Sequence, residues 1–256
     1  MARTFLGVSA LLFAASVAVT IAWCTSMSAM GGMPMPGGWT MSMTWMRMPG
    51  QTWPGAAVSF LGMWVVMMVA MMLPAVLPVL RRYRASVGAA TGTLDRLTAL
   101  IGAGYFVVWT AVGAAVYPVG AALAALAMQR PGLSRAVPMV IGSIVLIAGA
   151  LQYTRRKARR LACCRSAPGH EGALPTDAGG AWRLGLRLGL LCFACCGNLM
   201  LILLLAGVMN LTAMAAVTAA ITLERVAPAG QRAARAIGLV AVTAGVLLIA
   251  RATALM

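Results

Sequence analysis

Apolar residues run along this chain in long unbroken blocks, separated by short polar segments rich in Arg, Gly and Pro. The blocks lack strict alternation, so they predict helices and not the strands of a barrel. Seven are visible, at roughly 4–23, 53–80, 100–128, 136–153, 184–207, 211–223 and 233–250. A helix needs about 20 apolar residues to cross a hydrocarbon core of about 30 Å, and most of these blocks approach or exceed that length. Lipid offers the backbone no hydrogen-bond partners, which again favours continuous helices. The sixth block is short: it either tilts as a partner of the fifth or stops short of a full crossing.

The same pattern divides the chain into an N-terminal signal-anchor helix (1–24), a loop (25–52), a membrane domain (53–226) and a C-terminal helix (227–256). The first block, preceded by Arg3, has the outline of a signal peptide. Its length, and Trp23 before Cys24, fit a retained anchor better. Gly, Pro, Ser and Thr make the following segment read as an irregular loop. The longest basic loop begins at Arg155, and its Gly- and Pro-containing middle, 166–180, reads as flexible and carries His170, the one histidine of the chain.

Composition agrees with the pattern: 62% of residues are hydrophobic and 9% charged, against about 25% charged in soluble domains. The net charge of +16 could suggest a nucleic-acid partner. However, the basic residues cluster in short segments between apolar blocks, as in cytoplasmic loops beside an anionic leaflet. With the N-terminus inside, sixteen of the twenty Lys and Arg fall on the inner side. The expectation is therefore an all-α polytopic membrane helix bundle of about seven transmembrane helices, N-terminus cytoplasmic and C-terminus outside. It contacts membrane lipid and takes no nucleic acid.

The chemistry is concentrated in sulfur. The loop after Cys24 carries Met27, Met30, Met33, Met35, Met41, Met43, Met46 and Met48, with no His, Asp or Glu. Hard cations need carboxylates, and Zn²⁺ or Cu²⁺ usually need imidazole or thiolate. Clustered neutral thioethers suit Cu(I). This outer loop is a candidate metal-capture segment, set against the alternative of a Met- and Trp-bearing loop lying on the bilayer surface.

In the second block, Met63, Met67 and Met71 are spaced by four and share a helix face, with Met68 and Met72 beside them. Pro74 removes a backbone donor and tends to open the helix near Ala70 and Met71. Such a stripe serves equally as packing. The fifth block offers Cys192, Cys195, Cys196 and Met200, which cover about 140° of one face at 100° per residue. Thiolates bind Cu(I) strongly, although buried Cys also packs as a small apolar residue and vicinal Cys can form a redox pair. Met209 precedes Asn210 in a tight turn. Cys163 and Cys164 sit among basic residues that lower thiol pKa, with His170 and Glu171 near in sequence. Glu224 is expected to pair with Arg225 or with another Arg at the membrane surface. The chain contains no Walker loop, no zincin motif and no Ser–His–Asp set, which disfavours hydrolase chemistry.

Several of these pieces, taken together, resemble one family. They are Met63-Trp64-x2-Met67-x2-Ala70-Met71-Met72-x-Pro74, Gly104-Tyr105-x3-Trp109, Cys195-Cys196-x2-Leu199-Met200 and Gly207-x-Met209-Asn210-Leu211-x2-Met214. The resemblance covers about residues 53–226 and is to predicted metal-binding integral membrane proteins, copper-chaperone-like and linked to polyphenol oxidases. It implies metal binding in the bacterial inner membrane and delivery to a copper oxidase. The chain departs from that pattern at Leu188, where the family tends to have His, at Ala194 and Gly197, which replace Gly and Trp, and near Arg160, where an earlier Cys is missing. An imidazole-containing site is thereby put aside, while the thiol–thioether set survives.

The resulting expectation is a multi-pass membrane protein that handles Cu(I) for a partner cuproenzyme and is not an enzyme. Metal gathered on the outer methionines would pass to a buried site drawn from Met63, Met67, Met71, Met72, Cys192, Cys195, Cys196, Met200 and Met209. Two alternatives remain open: a thiol–disulfide oxidoreductase relaying through Cys195–Cys196 and Cys163–Cys164, although the pairs are expected at different depths, and a metal transporter.

Overall fold

The computed structural model describes residues 2–29, 31–47, 50–87, 91–166 and 174–254. Eight α-helices are found among them: α1 (Ala2–Ala29), α2 (Trp53–Ser86), α3 (Thr91–Gln129), α4 (Pro131–Leu151), α5 (Arg155–Ser166), α6 (Ala178–Ala206), α7 (Leu211–Val226) and α8 (Gly230–Ala254). Six of them, all but α5 and α7, are long and apolar enough to cross a membrane. The fold is thus the expected all-α bundle of a multi-pass membrane protein. The short sixth block forms α7, whose 16 residues leave it below the length of the others.

Local chemistry sets the helix boundaries. Thr52 accepts a hydrogen bond from the Gly55 amide at 3.2 Å and starts α2, with Pro54 in the first turn. Asp177 caps α6 through the Gly180 amide at 2.7 Å, and Asn210 caps α7 through Ala213 at 3.0 Å. Gly207 ends α6 with φ of +106°, a left-handed conformation that costs glycine little. Together Gly207 and Asn210 make the tight turn between α6 and α7.

α2 is the axis of the bundle. It buries Met63, Met67, Met68, Met71 and Met72 along its length and continues through Pro74 and Pro78. Its neighbours are α1, α3 and α7. The Trp64 indole donates to the Trp109 carbonyl at 2.8 Å and ties α2 to α3. Two other helix pairs pack backbone to backbone where glycines replace bulk. A Cβ on Gly104 of α3 would lie 2.8 Å from the Trp182 carbonyl of α6. A Cβ on Gly149 of α4 would lie 2.7 Å from the Val242 amide of α8. Small residues at membrane helix contacts permit this approach. By contrast α1 touches the rest through a narrow stripe, Ser9, Ser16, Thr20 and Cys24, and exposes Val8, Leu11, Val19 and Ile21.

Two segments expected as loops are structured. α1 runs on through Cys24 to Ala29, and an antiparallel hairpin follows, β1 (Met33–Met35) with β2 (Trp39–Met41), then a 3-10 turn at Met43–Trp45. Here Gly37 and Gly38 adopt the positive φ that the turn needs. The hairpin is seated on α3 and α4: the Trp39 indole donates to the Ser134 carbonyl at 3.0 Å, and the Ser134 hydroxyl donates to the Pro36 carbonyl at 3.0 Å. The basic segment from Arg155 is also no loop. It forms α5, which packs on α6, because Leu161 and Cys164 recur on one face and are buried there.

Candidate metal centre

The interior of the bundle is rich in sulfur and poor in charge. Met63, Met67, Met71 and Met72 of α2 share one hydrophobic core with Cys192, Cys196 and Met200 of α6 and Met214 of α7. On α6 the spacing 192, 196, 200 keeps the three on one face. The Tyr105 hydroxyl of α3 donates to Cys192 Sγ at 2.9 Å, and the two sulfurs of Cys192 and Cys196 stand 3.6 Å apart. Cys196 Sγ also donates to the Cys192 carbonyl at 3.0 Å. All four of these α2 methionines and both thiols are buried.

Cys195 does not join them. One residue turns the side chain by 100°, and Cys195 instead packs with Leu161, Cys164 and Ala234 in a separate cluster. The expectation that the two Cys pairs lie at different depths is corrected here: Cys164 of α5 meets Cys195 of α6 because α5 folds back along α6. Cys163, the next residue round the helix, is exposed. None of the six cysteines is in a disulfide.

Glu224 is also placed differently from expectation. It pairs with Lys157 at 2.7 Å and accepts from the Gln152 amide at 2.9 Å, while Lys157 also donates to the Cys195 carbonyl at 2.7 Å. Glu224 is 1% exposed and Lys157 6%, so each needs the other. Arg225, freed from Glu224, donates to Cys164 Sγ at 3.4 Å. A hydrogen bond with Cys195 and the nearby Arg225 guanidinium hold the Cys164 thiol below the usual thiol range, against the upward pull of burial.

The segment expected to capture metal is divided. Met35 and Met41 are buried in the hairpin's contact with Ala124 and Ala127, with Met33 and Met46 packed against them. Met27 and Met43 are half-buried. Met30 and Met48 lie outside the described residues, as do His170 and Glu171. Met209 packs at the edge of the main core and meets an unexpected partner: Cys24 Sγ donates to Met209 Sδ at 3.7 Å. By pattern alone Cys24 merely ends the anchor helix. The signal for more is its four-residue spacing from Ser16 and Thr20, which marks the buried face of α1.

Among the described residues no three or more His, Cys, Asp or Glu are grouped to hold a metal ion. A hard cation or a closed zinc site has no donor set in this interior. What the bundle supplies is thiols and neutral thioethers, a set suited to a soft monovalent cation. The sequence model of the PpoB2 family, described as copper chaperone, matches residues 61–248. No curated protein and no solved structure matches the chain significantly.

Proposed function

This chain belongs to the PpoB2 copper chaperone family, and from that premise we propose that it is a membrane-embedded Cu(I) chaperone. Copper is its cargo. The thioethers of the hairpin segment gather the ion on the outer side of the bacterial inner membrane, and Cys192, Cys196 and the α2 and α6 methionines retain it for a partner cuproenzyme. No catalytic role is assigned. The observation that carries this reading is the buried Cys192–Cys196 pair, 3.6 Å apart, in a core that also holds five methionines of α2. Soft ligands in an apolar interior favour Cu(I) and disfavour hydrated divalent ions. Purified protein should bind Cu(I) or Ag(I) and show little affinity for Zn²⁺ or Mn²⁺. Equal or better Zn²⁺ binding in direct competition would sink the copper reading.

One observation favours a second reading, a thiol–disulfide relay: Cys164 and Cys195 share a cluster. That reading requires a Cys164–Cys195 disulfide to form and reduce reversibly in the folded protein. Mass mapping after mild oxidation tests it, and persistent free thiols at both positions would exclude it.

A further inference from the structure

Beside Cys164 the bundle opens into a cavity of about 530 Å³, lined by Ala75, Pro78 and Val79 of α2 and by Arg81, Arg82, Cys164, Arg165 and Arg225. Four arginines thus line a cavity that holds one thiol, and one of them, Arg225, donates to that thiol at 3.4 Å. None of them has a carboxylate partner among the described residues, whose ion pairs are Arg84–Asp95 and Lys157–Glu224. Two are held in place by backbone carbonyls. Arg82 Nη1 donates to the Arg165 carbonyl at 2.9 Å, and Arg165 donates to Glu224 and Pro228 carbonyls at 3.1 and 3.3 Å. Arg225 keeps a buried Nε with no hydrogen-bond partner among the described residues.

These facts need a common explanation. Uncompensated positive charge beside a low-dielectric wall attracts anions, and guanidinium forks match carboxylates two oxygens at a time. A buried unpartnered Nε–H is costly unless a ligand satisfies it. The volume lies within the range of small-molecule sites, about 300–1,000 Å³, so a tripeptide-sized molecule fits. The thiol decides which anion. A site for anions alone has no use for Cys164, whereas an incoming sulfur ligand would meet it.

We propose that this cavity binds a small anionic thiol, with its carboxylates on the arginines and its sulfur beside Cys164, and that Cu(I) is exchanged there between the two sulfurs. The proposal rests on the copper reading above and names the carrier with which the chaperone trades. Exchange proceeds by associative substitution. The Cys164 sulfur forms a bond to Cu(I) as the bond to the carrier sulfur breaks, and the Cys164 proton leaves to the carrier thiolate. Copper stays Cu(I) and no electrons move. The Cys164 contact with Cys195 sets the port against α6, the helix whose next face carries Cys192 and Cys196.

The test uses the full chain in neutral detergent. S-methylglutathione serves as a probe of the anion site, because its sulfur cannot act as a thiolate. Titration calorimetry should show one bound molecule per chain. Arg81→Gln with Arg82→Gln should weaken it roughly tenfold for each charge-assisted hydrogen bond removed, and by more than Cys164→Ser does, since that variant keeps every arginine. In the second arm Cu(I) is presented either as its glutathione complex or as its cationic acetonitrile complex, whose ligand offers the arginines no carboxylate. The arginine double variant should load from acetonitrile as the parent does and load slowly from glutathione. Cys164→Ser should also slow loading from glutathione. Absence of S-methylglutathione binding overturns the proposal. So does displacement of the probe by inorganic phosphate or by phosphatidylglycerol micelles as readily as by glutathione, which would mark a general anion or headgroup site. Rapid loading from glutathione in both variants would do the same. Loading from acetonitrile but never from glutathione removes the port and leaves the chaperone reading standing. Loading from neither removes the copper reading itself, and the exchange step with it.

Discussion

Two thiol sites lie on adjoining faces of α6 and differ in almost everything but their atoms. Cys192 and Cys196 face inward, with Tyr105 as a neutral partner and methionines in the surrounding core. Cys195 and Cys164 meet where α5 packs on α6, beside Arg225 and the Lys157–Glu224 ion pair. The inward pair is walled off by apolar side chains, so an ion held there would exchange slowly with water. Cys164 of the outward pair borders a charged, open cavity, the port proposed above for exchange. Retention and exchange need these opposite environments, and a helix supplies both by advancing one residue.

The comparison breaks most visibly if the inward pair is removed. Cys192→Ser with Cys196→Ser should abolish tight Cu(I) binding, because a hydroxyl is a poor ligand for a soft cation, while Cys195→Ser alone should leave the tight site. Affinity measured against a Cu(I) chelator, with a folding check by thermal unfolding, decides it. A folded double variant that still binds tightly would reduce the pair to packing.

Next in size is the ion pair that stiffens the outward site. Glu224→Ala strands a buried Lys157 and should cost about 3–5 kcal/mol, read as a lowered unfolding midpoint in detergent. Replacing both partners by Met should cost less than that single change, since neither charge is left alone.

A third experiment reads the electrostatics directly. In a Cys163→Ser background, Cys164 is alkylated as its thiolate. The thiol is held low partly by Arg225, so Arg225→Gln should raise its pKa, move the rate profile to higher pH and slow alkylation at neutral pH. An unchanged profile would leave the Cys195 hydrogen bond as the controlling interaction.

The smallest effect belongs to Tyr105→Phe. It removes one buried hydrogen bond to Cys192 and should cost about 0.5–1.5 kcal/mol. Cys164 reactivity should change little, because Cys195 and Arg225 act on that thiol more strongly than Cys192 does.

Much of this protein is legible without coordinates. Seven apolar blocks predict seven of the eight helices, since hydrocarbon solvent enforces length and continuity that composition alone displays. The sulfur-rich, carboxylate-poor makeup already points to a soft metal. What sequence could not supply was direction around each helix and contact between distant segments. The 140° arc on α6 is wide enough to be one site or two, and only the docking of α5 gives Cys195 a cluster of its own. Glu224 lies 67 residues from its partner Lys157, and Cys24 lies 185 from Met209. Such pairings arise from packing, when desolvated groups take whichever partner the fold brings within reach.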